Sequence, residues 1–135
     1  MAFTRVTHIG IAVKDLKKSI ELFSALFGSQ PNHLESVADQ RVDTAMFSFR
    51  DTSIELLAAA DLDSPITKFI EKRGEGMHHV SFQVDDIKKE LVRLKFEGFQ
   101  LIDEEPRKGA GNCLVAFVHP KSTNGVLIEL SQKSP

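Results

Sequence analysis

Two histidines and two glutamates occupy matching places in a phrase that the chain uses twice. Val6-Thr7-His8-Ile9-Gly10-Ile11-Ala12-Val13-Lys14-Asp15 returns as Met77-His78-His79-Val80-Ser81-Phe82-Gln83-Val84-Asp85-Asp86, and each copy runs on to an Ile-Glu-Leu, at Ile54-Glu55-Leu56 and Ile128-Glu129-Leu130. Two imidazoles and two carboxylates suit a borderline or hard divalent cation with coordination positions left open for a substrate, unlike a closed structural zinc site. Without a cation, burying two carboxylates costs several kcal/mol or forces their protonation. His8, Glu55, His79 and Glu129 are therefore the expected metal ligands.

Strand parity has to bring these four side chains to one side. Ile9, Ile11 and Val13 alternate with His8, Gly10 and Ala12, and Val80, Phe82 and Val84 alternate with His79, Ser81 and Gln83. That is the period-2 pattern of a strand with one greasy face. Glu55 and Glu129 likewise oppose their flanking Ile and Leu residues. Asp15 and Asp86 are placed to cap helices whose apolar stripes run through Leu16, Ile20, Phe23 and Phe27, and through Ile87, Leu91 and Leu94. Gly28 and Gly98 are placed to stop them. Three strands are expected in the rest of each half, around 30–37, 42–49 and 53–58, then 99–102, 113–118 and 125–131. The prediction is an α+β fold of two tandem βαβββ modules forming a curved mixed sheet around a metal-binding cleft. Module one spans about 4–60 and module two about 77–132, with a linker of about 61–76 carrying a short helix that Ser64 caps and Pro65 opens, all in a single domain of 1–135.

Each half alone is too short to bury a comfortable core, so the halves must pack together. With 17 basic and 19 acidic residues interspersed, the formal charge of -2 gives no footprint for nucleic acid or an anionic membrane, which leaves a small molecule or a protein as partner. No apolar run approaches the roughly 18 residues that span a bilayer, and the N-terminus enters a strand pattern without an apolar targeting stretch. The single cysteine, Cys113, forms no intramolecular disulfide and belongs to a reducing compartment, so a cytoplasmic protein is expected.

Other polar residues have plainer readings. His33 and His78 are unassigned, His119 shapes a turn before Pro120 with a substrate contact as the alternative, Cys113 is a small strand residue, and Lys17-Lys18 and Lys88-Lys89 are solvated helix faces. The loop from Glu105 to Asn112 is rich in glycine and charge and is expected to border the site.

In several long stretches the chain resembles the vicinal oxygen chelate superfamily and, within it, the methylmalonyl-CoA epimerase family. These are Asp63 through Val80, Glu105-Pro106-Arg107-Lys108-Gly109-Ala110-Gly111, Phe117-Val118-His119-Pro120-Lys121-Ser122, and Gly125 through Leu130, with Thr7 through Val13 also fitting. The resemblance implies metal ligation by His8, His79 and Glu129, with Glu55 standing where some members have glutamine. It implies interconversion of (2R)- and (2S)-methylmalonyl-CoA by removal and return of the C2 proton through an enolate that the cation stabilises. It leans to cobalt, leaving manganese, nickel, zinc and magnesium open, and to a homodimer. Thr44 falls where some members carry an acid/base glutamate, which makes Glu129 and Glu55 the expected catalytic carboxylates; weaker choices are a water held by Thr44, the Asp43 carboxylate or the Asp39 carboxylate. Arg107, Lys108 and Lys121 are candidates for the substrate carboxylate or the CoA phosphates. A lactoylglutathione lyase of the same superfamily, and a non-catalytic ligand-binding member, are the alternative readings.

Overall fold

Asp15 and Asp86 do the same job twice. In the computed structural model, which describes residues 2–134, each has extended backbone and a side-chain oxygen that accepts a hydrogen bond from the third residue on. Lys18 N donates to Asp15 Oδ1 and Lys89 N to Asp86 Oδ1, both at 3.1 Å. These caps turn β1 (Phe3–Ala12) into α1 (Leu16–Phe27), and β5 (Gly76–Val84) into α3 (Ile87–Phe96). Gly28 ends α1 in the left-handed region at φ 69°, its N–H bonded to Ser24 O. After α3 the cap is Glu97, in right-handed helical conformation, and Gly98 takes φ 93° one residue later. The linker helix α2 (Pro65–Arg73) starts as its residues require, with Ser64 Oγ accepting from Ile66 N at 3.2 Å and proline in the first turn.

The remaining strands are β2 (His33–Val37), β3 (Val42–Ser48), β4 (Ser53–Ala59), β6 (Arg107–Lys108), β7 (Cys113–Val118) and β8 (Ile128–Lys133). The chain divides into two units, Ile9–His78 and Met1–His8 with His79–Pro135. In the first unit β2, β3 and β4 pair antiparallel and the end of β1 follows β4. In the second, the start of β1 neighbours β5, β5 runs parallel to β8, and β8, β7 and β6 pair antiparallel. The α+β class and the mixed sheet are as the sequence implies.

Each unit buries the apolar side of its strands beneath its own helix. Leu16, Ile20, Phe23 and Phe27 of α1 pack on a core of Val13, Ala45, Phe47, Leu56 and Ala58. Ile87, Leu91 and Leu94 of α3 join Val84, Ala116, Val118 and Leu130. The opposite strand faces are thereby left to the polar residues.

Module two departs from expectation at two places. Residues 99–102 form no strand: Leu101 makes a single bridge to Val118, and the ladder is resumed by Arg107 and Lys108 against Val115 and Leu114. The ladder breaks at Asp103, where Ile102 N and Asp103 N both donate to Phe117 O and the Asp103 carboxylate, in place of a strand carbonyl, accepts from Phe117 N. The last strand, β8, begins at Ile128, not Gly125, because 120–126 is tied into turns by Gly125 N to Pro120 O and Val126 N to Thr123 O.

Candidate metal centre

Three of the four expected ligands meet within the second unit. The parallel register of β5 with β8 sets Ser81 opposite Glu129 and Phe82 opposite Leu130. With Leu130 in the core, Glu129 must point the other way, and His79, two residues before Ser81, shares its side. β1 supplies His8. The ring nitrogens His8 Nε2 and His79 Nε2 stand 2.9 Å apart, and Glu129 Oε1 lies 3.3 Å from the first and 3.8 Å from the second. The rings meet edge to face at a centroid distance of 5.0 Å. All three side chains are nearly sealed, with His8 13%, His79 4% and Glu129 5% exposed.

This arrangement fits a divalent cation. With bonds of about 2.1 Å, neighbouring ligand atoms stand about 3.0 Å apart at a right angle and about 3.4 Å apart at the tetrahedral angle. The observed separations of 2.9, 3.3 and 3.8 Å span those values. Two imidazole nitrogens facing each other can share only one proton, and Glu129 Oε1 is buried without a well-aligned hydrogen bond. A cation satisfies all three atoms at once.

Neighbouring groups prepare the ligands. Thr7 Oγ1 donates to the Ser81 carbonyl at 3.2 Å and lies 3.3 Å from His8 Nδ1. With its own proton so placed, the Thr7 oxygen accepts from Nδ1–H, which leaves the lone pair of His8 on Nε2, toward the other two ligands. Phe117 packs edge-on against the His79 ring at 5.9 Å. Burial pushes the Glu129 carboxyl up, but contact with His8, the charges of His79 and His8, and the Ser81 hydroxyl outweigh it and hold the pKa down to about 2.

Glu55 lies in the first unit, buried at 4% exposure and outside the group of three, with its Cα opposite Met46. Thr44, on the same strand face as Glu55, is equally buried and gives its hydroxyl proton to Glu35 O at 3.2 Å. Among the other histidines, His33 pairs with Glu35 at 3.0 Å, and His78 packs edge-on against Phe69. His119 Nδ1 accepts from Lys121 N at 3.0 Å, shaping the turn expected of it. Sequence reasoning missed Thr7, Ser81 and Phe117. A hydroxyl beside a ligand histidine was a usable signal for Thr7; the other two depend on strand register.

Residues 7–117 match the family model described as Glyoxalase/Bleomycin resistance protein/Dioxygenase superfamily. The chain is 36% identical to the mitochondrial methylmalonyl-CoA epimerase of Dictyostelium discoideum, over 96% of this chain and 78% of that one. It is 35% identical to an ethylmalonyl-CoA/methylmalonyl-CoA epimerase of Cereibacter sphaeroides, over 95% and 97%. A solved methylmalonyl-CoA epimerase in complex with methylmalonyl-CoA and ammonium superposes with a TM-score of 0.93 at 33% identity, covering 98% of this chain and 96% of that one. The chain belongs to the Glyoxalase/Bleomycin resistance protein/Dioxygenase superfamily and, within it, to the methylmalonyl-CoA epimerase family.

Proposed function

We propose that this protein is a metal-dependent epimerase that interconverts (2R)- and (2S)-methylmalonyl-CoA. The observation that carries the reading is the convergence of His8 Nε2, His79 Nε2 and Glu129 Oε1 within 4.8 Å of one another, in a chain of this family. A divalent cation held by these residues, with Glu55 as a fourth ligand through oxygen, would supply a Lewis acid that lowers the barrier by several kcal/mol as charge develops on the thioester oxygen. Cobalt is the proposed metal.

The C2 proton lies between a thioester and a carboxylate, and the electron pair it leaves delocalises onto the thioester oxygen. Inversion needs proton transfer on both faces of that carbon, and a group within hydrogen-bond reach contributes about 10²–10⁴-fold. Glu129 takes the proton on one face. Glu55 serves the other face. Thr44 is unsuited to that task because its hydroxyl proton is engaged by Glu35 O. Thr7 keeps His8 in the ligating tautomer, and the low exposure of all three ligands excludes bulk water from the proton in transit.

The test is to incubate metal-loaded protein with a single epimer of methylmalonyl-CoA in deuterated water, following epimerisation and label at C2. Exchange well above a chelator-treated control is expected. Exchange no faster than that control sinks the epimerase reading, and turnover of the methylglyoxal–glutathione adduct in its place assigns a lactoylglutathione lyase, which a carboxylate at Glu55 also suits. A cytoplasmic homodimer is the proposed working form, and sedimentation equilibrium tests the assembly. No helix among the described residues is long and apolar enough to cross a membrane.

A further inference from the structure

Of the three cations that the sequence offers to an anionic substrate, register separates one from the others. Arg107 pairs with Val115 of β7, Val115 with Ser131 of β8, and Phe117 with Glu129. Cross-strand partners share a face, so Arg107 stands on the side of the sheet that carries Phe117 and Glu129. Lys108 pairs with Leu114, which packs on the core of the α3 side, and so lies on the opposite face. Lys121 is exposed in the turn after β7.

The Arg107 side chain lies over the Phe117 ring. Two strand spacings and two residues put its Cα about 12 Å from that of Glu129. Its guanidinium carbon lies 5.9 Å from the centre of the Phe117 ring, the ring that packs on His79. Asp103 holds this geometry from behind. Its Oδ2 accepts from Phe117 N at 2.9 Å, while its Oδ1 stays 3.5 Å from Arg107 Nε, an ion pair without a hydrogen bond. Arg107 Nε is buried with no acceptor, and its guanidinium makes no hydrogen bond to any described residue. With 39% of the side chain still open to solvent, the rest of the guanidinium can take an anion on the side of the sheet that carries Glu129.

We propose that Arg107 binds the free carboxylate of the acyl group and thereby selects malonyl-type thioesters over neutral ones. The inference rests on the acyl-CoA reading above. A guanidinium pairs bidentately with a carboxylate. The phosphates of CoA are separated from the reacting carbon by the whole pantetheine arm, so a cation stacked on the ring that abuts His79 is placed for the acyl end.

The experiment is calorimetric titration of cobalt-loaded protein with malonyl-CoA, propionyl-CoA and CoA. Wild type, Arg107→Ala, Arg107→Lys and Lys108→Ala are compared after metal content and circular dichroism have been matched. Wild type is expected to prefer malonyl-CoA to propionyl-CoA. Arg107→Ala should weaken malonyl-CoA by about 10–100-fold, the loss of a charge-assisted hydrogen-bonded pair. Its propionyl-CoA affinity should stay within about twofold, and the KM for methylmalonyl-CoA should rise. Arg107→Lys, which keeps the charge but loses the fork, should fall between; this gentler variant carries the test if the alanine does not fold. Lys108→Ala should change neither affinity. Equal weakening of all three ligands by Arg107→Ala overturns the inference in favour of contact with the nucleotide end, and no change overturns it outright. A wild type that binds no CoA ester refutes the acyl-CoA reading itself.

Discussion

At the scale of single residues, the site is governed by where protons are allowed to sit. His8 ligates through Nε2 only if Nδ1 keeps its proton, and Thr7 is the group that holds it there. Partners of this kind typically contribute 10–100-fold to metal affinity. Thr7→Val should therefore weaken cobalt binding by at least about tenfold in a competition with a chromophoric chelator, whereas Thr7→Ser, which keeps the hydroxyl, should bind nearly as wild type. Equal affinities for Val and wild type would remove Thr7 from the centre. Glu129 makes a second prediction, in the metal-free protein. Its folded pKa of about 2 lies below the ordinary 4.5, so the interactions of its ionised form stabilise the fold fully above about 4.5 and are lost as pH falls through about 2. Glu129→Gln has no such titration. The advantage in Tm of wild type over the variant should shrink steadily from pH 5 to pH 2; a gap constant over that range contradicts the lowered pKa.

At the scale of elements, two caps decide how each ligand-bearing strand is followed by its helix. Asp86→Ala removes the acceptor for Lys89 N and should destabilise the protein by about 1 kcal/mol in urea unfolding, with Asp15→Ala costing a similar amount. The two caps lie in different units and share no partner, so the double variant should show the sum within about 0.5 kcal/mol. Features of this local kind were legible in the sequence. An Asp ahead of a 3.6-residue stripe, Ser64-Pro65 ahead of another, and glycine at the end of α1 each act over four or five residues. The meeting of His8, His79 and Glu129 was legible for a related reason: the repeat carries residue type and strand parity together, and parity is what turned His79 and Glu129 away from the core. β6 was not legible, because a two-residue polar strand exists only by pairing with β7. Ser81 and Phe117 were hidden likewise, since their places beside Glu129 come from the β5–β8 and β7–β8 registers, which join residues some 50 and 12 positions apart. The expected strand at 99–102 failed because apolar alternation does not show that the Asp103 side chain takes Phe117 N and ends the pairing after Leu101.

At the scale of the whole molecule, the ligand set decides which part of the fold a metal stabilises. A ligand that binds only the native state adds about 2.7 kcal/mol when present at 100 times its dissociation constant. His8, His79 and Glu129 all belong to the unit formed by Met1–His8 and His79–Pro135, so cobalt held by these three alone should slow amide exchange there, in β5, β7 and β8. A fourth bond from Glu55 makes a different pattern, because that carboxylate sits on β4 of the other unit. If Glu55 ligates, cobalt should also protect β4 and its antiparallel partner β3, and Glu55→Gln, which keeps an oxygen donor but removes the charge, should weaken that protection while leaving β5 and β8 largely protected. Hydrogen exchange of the cobalt-loaded and metal-free forms of both proteins separates the cases. Protection confined to the second unit in wild type makes the centre a three-residue site and withdraws Glu55 from metal binding. Its role on the opposite face of C2 would then rest on Glu55→Gln abolishing epimerisation while cobalt content stays unchanged.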